Sequence, residues 1–134
     1  MGLKIKIFSP GKTKEPWLQD ALAEYEKRLT GSIAIEWDHQ NFRGEGSYIC
    51  LDPNGIQQTS PDFSDFLYRE FEKQGSRLTF VIGSPSGLPS NIVHRASHSI
   101  SFSKMTFTHQ HIRLLLLEQI YRAFQIHKGT HYHK

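Results

Sequence analysis

The chain has 134 residues, 37% hydrophobic and 22% charged, which is the length and composition of one globular domain rather than two. Nine Phe, five Tyr and two Trp supply too much apolar surface for an intrinsically disordered chain. The net charge of +3 permits a polyanionic partner without requiring one, and the longest apolar run, 114–117, is far shorter than the roughly 20 residues of a membrane span.

Hydrophobic periodicity predicts alternating strands and helices from the start of the chain. Apolar residues alternate over 3–8 and again over 33–37, so both segments are predicted as strands. Between them, 15–29 carries one apolar stripe and Pro16 in its first turn, which predicts an amphipathic helix. The polar segment 38–47 is predicted as a loop.

A short buried strand, 48–51, is predicted to end at the turn sequence Asp-Pro-Asn-Gly over 52–55. Ser60 is the predicted N-cap of a second helix, which should reach about Lys73. The continuous apolar run 78–82 is typical of a central parallel strand that is covered on both faces.

The rest of the chain continues the alternation. A glycine-bounded loop over 83–87, a short helix over 91–96 and a strand over 99–103 are predicted in turn. A last helix should begin at 108 or 109 and reach about Lys128. Because strands and helices alternate without a repeat or linker, we predict one α/β domain, residues 1–134, with a mostly parallel sheet.

The predicted last helix is apolar on nearly all sides. One side would cover its own sheet, so the opposite side needs a second cover. A homodimer interface through this helix is the favoured interpretation, and cover by another helix of the same chain is the alternative.

Three of the predicted loops follow apolar strands directly, at 51–55, 83–87 and 101–106. Loops at the carboxyl ends of parallel strands meet at one edge of the sheet, where α/β proteins bind ligands. The sequence therefore indicates a ligand site built from these loops, with plain turns as the alternative.

Two apparent motifs are rejected. Gly11-Lys12-Thr13 resembles the end of a P-loop, but the earlier glycine of that motif is replaced by Lys6. The pairs 109/111 and 131/133 are histidines, but helical residues two apart diverge and no acidic ligand spacing accompanies them, so no metal site is expected. The polar first residues and the one cysteine, Cys50, favour a reducing, cytoplasmic location.

Several motifs resemble a known family across nearly the whole chain. They are Gly11-Lys12, Trp17, Glu24 to Leu29, Phe80 to Gly83 with Gly87-Leu88, Ile100 to Phe107, His109-Gln110, Arg113, Glu118-Gln119, Tyr121 to Ala123 and Tyr132 to Lys134. In these motifs the chain is similar to the RlmH (YbeA-like) large-subunit ribosomal RNA methyltransferases of the SPOUT superfamily.

The resemblance implies a fold, a cofactor and a substrate. The fold would be an α/β knot, in which the last helix threads a loop to form a trefoil. The cofactor would be S-adenosylmethionine, and a homodimer would methylate N3 of a pseudouridine in 23S rRNA of the ribosome. The implied cofactor-binding residues are Leu51, Gly83, Phe102, Ser103, Lys104, Met105, Thr106 and Phe107.

A histidine could accept the N3 proton during methyl transfer. His133 is the first candidate and His109 the second, and Tyr132 could stack on the base. A phosphate-binding or tail-ordering role is the alternative for His133.

Glu118 and Arg122 are spaced as an ion pair on one helix face. The candidate phosphate contacts are Arg43, Lys104, Lys128 and Lys134.

The chain departs from the family pattern at several points. The family usually carries another helix where this chain has only 38–47, and Ser84, Thr108 and His131 replace the usual residues. Two rival functions follow: a catalytically impaired relative that still binds ribosomal RNA, and a small metal-dependent α/β enzyme.

Overall fold

The computed structural model describes residues 2–132, and its strands and helices follow one another in the predicted order. The strands are β1 (Leu3–Phe8), β2 (Ile33–Asp38), β3 (Ile49–Gln57), β4 (Arg77–Ile82) and β5 (His98–Ser101). The helices are α1 (Pro16–Leu29), α2 (Ser60–Lys73), α3 (Ser90–Arg95) and α4 (His109–Lys128). Across 2–132, no helix is both long and apolar enough to cross a membrane.

The strands form one parallel sheet in the order β2-β1-β4-β3-β5. The predicted α/β fold with a mostly parallel sheet is therefore confirmed. Strand β4 lies at the centre, where Phe80 and Val81, on opposite faces, are both buried. This position explains the continuous apolar run that the sequence shows there.

Helices α1, α2 and α4 cover one face of the sheet. Leu116, Leu117 and Ile120 of α4 are fully buried in the main core, which also contains residues of α1, α2, β1 and β4. Helix α4 contacts both α1 and α2, so neighbours within the same chain cover much of its apolar surface. The alternative interpretation of this helix thus accounts for its burial, and the homodimer stays a prediction.

A smaller core occupies the other face, around Tyr48, Cys50, Val81 and Ile92 of α3. Phe42, from the predicted loop 38–47, lies 4.7 Å from the Phe8 ring and 4.6 Å from the Tyr48 ring, centroid to centroid. One aromatic side chain of the loop therefore supplies part of the cover on this face.

The rest of that face carries charged side chains on β1 and β2. Lys4 Nζ lies 2.7 Å from a Glu36 carboxylate oxygen, and Lys6 Nζ lies 3.7 Å from Glu36 and 3.8 Å from Asp38. The hydrogen bond from Lys4 lowers the pKa of Glu36. Charged residues thus alternate with the buried Ile5 and Ile7 of β1, which gives this predicted strand one polar face.

Three predicted boundaries are corrected. Thr59 is the N-cap of α2, since its hydroxyl accepts a hydrogen bond from the Asp62 N–H at 3.1 Å, whereas the Ser60 hydroxyl donates to Gln119. Strand β3 continues beyond the predicted turn, and β5 ends at 101 rather than 103.

Candidate active site

A cleft of about 900 Å³ lies at the carboxyl edge of the sheet, beside the ends of β4 and β5 and the bulge of β3. We call it the edge cleft. The three predicted loops meet in it, together with the first turn of α4 and Glu15. Of the sequence-predicted site residues, its lining includes Leu51, Gly83, Phe102, Ser103, Met105, Thr106, Phe107 and His109.

The first loop is an outward bulge of β3. Leu51 and Ile56 are both in register with Ile100 of β5, so residues 52–55 leave the sheet and return to the same position. Gly55 makes this return possible, because a Cβ there would lie 2.7 Å from backbone atoms of Ile100 and Ser99. The predicted turn is therefore real, and it lies within a strand instead of ending it.

The second loop is a tight turn after β4. The Gly87 N–H donates to the Ser84 carbonyl at 2.8 Å, and Gly87 has a φ of 87°. A Cβ at Gly83 would lie 2.9 Å from backbone atoms of Gly87 and Leu88. The close packing of the turn thus requires glycine at 83 and accommodates serine at 84.

The third loop connects β5 to α4. The Ser101 hydroxyl donates to the Ser103 carbonyl, and the Ser103 hydroxyl accepts from the Met105 N–H. Met105 is 76% exposed and Phe107 is 45% exposed, so large apolar side chains face the opening of the cleft. Lys104 is exposed and lies outside the lining.

His109 and Gln110 bring the first turn of α4 into the cleft wall. Burial lowers the pKa of His109, and the charges of Arg113 and Lys14 lower it further, so the imidazole is neutral at pH 7. Gln110 Nε2 lies 3.2 Å from the Lys12 carbonyl and 3.3 Å from His109 Nε2. Because an amide nitrogen only donates, this orientation of the Gln110 amide pairs with the His109 tautomer whose Nε2 accepts.

The same glutamine leaves an acceptor unused. Gln110 Oε1 is the one buried side-chain oxygen or nitrogen within 2–132 that has no hydrogen-bond partner. An unsatisfied buried acceptor costs about 1–3 kcal/mol. The cleft wall therefore contains an acceptor for which the chain itself supplies no donor.

Arg113 holds the turn after β1 against α4, a role that the sequence alone did not reveal. Its fully buried guanidinium donates to Ser9 Oγ at 2.7 Å, to Thr13 Oγ1 at 2.8 Å, and to the carbonyls of Ser9, Pro10 and Gly11 at 2.6–3.2 Å. The Gly-Lys-Thr segment rejected as a P-loop is thus an arginine-anchored turn beside the cleft.

Of the site residues predicted beyond the end of α4, the structure describes Tyr132, which lies outside the edge cleft. The Tyr132 ring centroid is 4.9 Å from that of Tyr121, and Tyr132 is absent from the lining of the cleft in its own chain. His133 and Lys134 lie outside the described residues. Glu118 and Arg122 form the predicted ion pair, at 2.8 Å.

The side-chain positions also bear on metal binding and on nucleophilic attack by a cysteine thiol. Within the described part of the chain, no group of three or more His, Cys, Asp or Glu is arranged to hold a metal ion. Cys50 is fully buried, and burial raises the pKa of its thiol to about 11, so this thiol is protonated and unsuited to nucleophilic attack.

The fold and the edge cleft define an α/β protein that can hold a small ligand where parallel strands end. Comparison with known proteins gives the family. The model described as "Predicted SPOUT methyltransferase" matches residues 37–133, and the chain belongs to this SPOUT methyltransferase family.

Similar proteins match almost end to end. A Protochlamydia amoebophila protein named "Ribosomal RNA large subunit methyltransferase H" is 48% identical over 140 residues, covering 98% of this chain and 99% of that protein. A protein of the same name from Clostridium tetani is 39% identical over 159 residues, covering 98% and 100%. The Protochlamydia alignment spans only 140 residues and still covers 99% of that protein, so that relative is almost as short as this chain. The Clostridium protein, covered completely by a longer alignment, is longer.

Proposed function

We propose that this chain is an S-adenosylmethionine-dependent methyltransferase that acts on N3 of a pseudouridine in 23S rRNA of the ribosome. The observation that carries the proposal is the meeting of all three strand-end loops in one cleft of a SPOUT family member. The names of the similar proteins support large-subunit ribosomal RNA as the substrate class.

The edge cleft fits the proposed cofactor in size and chemistry. About 900 Å³ lies within the range of small-molecule sites. Leu51, Ile82, Leu88 and Ile100 offer apolar walls for an adenine ring, and polar groups border them. We assign cofactor binding to the predicted residues that line the cleft, which are Leu51, Gly83, Phe102, Ser103, Met105, Thr106 and Phe107. Lys104, which the resemblance also implied for cofactor binding, lies outside this lining and is proposed as a phosphate contact instead.

When bound, S-adenosylmethionine supplies the methyl group as a sulfonium substituent. The task of the chain is then to hold the acceptor nitrogen in line with the carbon–sulfur bond, because the reaction disperses a positive charge and needs no oxyanion hole. The rigid glycine turn at 83–87 and the bulge at 52–55 would fix one side of this arrangement.

The N3 proton must leave before or during the transfer. His109 is neutral, and in the tautomer whose Nε2 accepts from Gln110 it can accept a proton by exchanging that bond for one with the substrate. His133 remains the other candidate base, and Tyr132 remains a candidate for stacking on the nucleobase. Since Tyr132 lies at the far end of α4 in its own chain, its role would require a partner subunit or a moved tail.

We also propose a single domain over 1–134, a knotted α4, a homodimer through this helix and a cytoplasmic location.

The proposed phosphate contacts are Arg43, Lys104, Lys128 and Lys134. Affinity for ribosomal particles should therefore fall as salt concentration rises. A salt-independent affinity would contradict these contacts.

The proposal is tested on ribosomes that lack the modification. They are incubated with the protein and S-adenosylmethionine, and 23S rRNA fragments are analysed by mass spectrometry. A gain of one methyl group on a pseudouridine is expected. Cofactor binding without any methylation would instead indicate the binding-only relative. His133→Ala and His109→Gln, assayed in parallel, identify the base: loss of rate is expected for the variant that removes it.

A further inference from the structure

A patch beside the mouth of the edge cleft combines an exposed tryptophan with two lysines. We call it the rim patch: Lys12, Lys14, Trp17 and His111. Trp17 is 51% exposed, and its ring centroid lies 5.6 Å from that of His111, which lines the cleft. An indole face is thus available to a ligand that continues out of the cleft.

The positive charges of the two lysines in the rim patch are also accessible to a ligand. Lys12 and Lys14 are exposed, and no carboxylate among the described residues forms an ion pair with either. Lys14 lies close enough to the cleft for its charge to act on His109. Glu15, which also lines the cleft, is the acidic residue of this segment.

The backbone of the patch is held in place from two helices. Arg113 and Gln110 of α4 donate to the carbonyls of Gly11 and Lys12, and Gln19 of α1 donates to the Thr13 carbonyl at 2.8 Å. These hydrogen bonds hold the backbone of 11–13, which carries Lys12 and adjoins Lys14, beside the cleft. Such preorganisation reduces the entropy cost of binding an extended ligand.

We propose that the rim patch binds single-stranded RNA next to the nucleotide in the cleft, an inference that rests on the function proposed above. A nucleotide that enters an enclosed site must leave its stack, which exposes the faces of neighbouring bases. Trp17 stacks on one of these bases, and Lys12 and Lys14 contact the adjoining phosphates. Exposed aromatic rings interleaved with cations are the combination that single-stranded nucleic acid requires.

The test uses the full chain and a fluorescein-labelled oligouridylate, with an RNA duplex of equal length for comparison. Fluorescence anisotropy gives the affinity, and quenching of tryptophan emission reports stacking. Trp17→Ala should weaken single-strand binding about tenfold, whereas Trp17→Phe, which keeps a ring, should retain most of it. Lys12→Ala and Lys14→Ala should each lower the dependence of log affinity on log salt by roughly 0.7.

Lys27→Ala is the matched control, because Lys27 is an exposed lysine in the last turn of the same helix that begins beside Trp17. It should leave affinity and salt dependence unchanged. Wild-type affinity and quenching in Trp17→Ala would overturn the inference. So would a change in sedimentation from dimer to monomer in this variant, which would assign the patch to an interface between copies. These readouts involve no methyl transfer, so failure of the proposed activity would be seen separately.

Discussion

Arg113 and Ser9 lie 104 positions apart in the sequence and are joined by a 2.7 Å hydrogen bond from the guanidinium Nε to the serine hydroxyl. Both residues are fully buried. The contact ties the end of β1 to the first turns of α4, and thereby connects an early and a late segment of the chain beside the edge cleft.

Replacing this arginine should destabilise the protein strongly. Arg113→Met removes hydrogen bonds to five oxygen atoms, and the buried carbonyl and hydroxyl of Ser9 are left without this donor. We expect a loss of about 3 kcal/mol in the free energy of unfolding, measured by urea denaturation. Arg113→Lys keeps the charge but loses the forked geometry, so it should fall between the wild type and Met. Equal stability of all three proteins would contradict this account of the turn.

Gly55→Ala should disturb the bulge in β3. The new Cβ would lie 2.7 Å from the backbone of β5, which cannot yield as a side chain does. A loss of about 1–3 kcal/mol is expected in thermal or urea unfolding, together with weaker binding of S-adenosylhomocysteine in calorimetry. Gly2→Ala is the control, because a Cβ at Gly2 meets nothing within 4 Å. Similar losses in both variants would show that the close approach is unimportant.

His109 should make stability depend on pH. Its pKa in the folded protein lies below the usual 6.5, so the unfolded chain binds the proton first as pH falls. The stability contribution of neutral His109 is therefore complete above 6.5 and declines as pH falls from 6.5 toward the lowered pKa. His109→Gln should remove this part of the decline in urea titrations between about pH 7.5 and 5. The exposed His131→Gln serves as the control, and parallel curves for wild type and His109→Gln would argue against the shift.

Thr59→Ala should weaken the start of α2. The threonine hydroxyl satisfies the Asp62 N–H, one of the donors that lack a partner within the helix. A loss of about 1 kcal/mol is expected, seen as a lower midpoint of thermal unfolding. Thr59→Ser keeps the hydroxyl and should behave nearly as the wild type. If serine is as damaging as alanine, the methyl group and not the cap is responsible.

Much of the architecture could be predicted because hydrophobic spacing is a local property. The alternation of Ile5 and Ile7 with lysines predicted β1, and the run through Phe80 predicted a central strand. Element boundaries were less certain. Ser60 and Thr59 are both favourable capping residues by type, and only the three-dimensional contact with Asp62 decides between them.

Contacts between distant segments could not be predicted in the same way. Nothing in the spacing around Arg113 indicates that its partners lie about a hundred positions earlier. The return of β3 to the sheet after Gly55 depends on the register with Ile100, which a single sequence does not reveal. The loops of the cleft were identified because strand ends are readable locally, whereas the position of Tyr132 depends on how the end of the chain packs.

The charged side chains of β1 and β2, namely Lys4, Lys6, Glu36 and Asp38, keep their part of the sheet compatible with water. A broad apolar sheet surface that is open to solvent favours association with other proteins. Here both signs of charge are paired across the two strands, and Phe42 covers the rings of Phe8 and Tyr48 beside them. This part of the sheet therefore needs no helix packed over it.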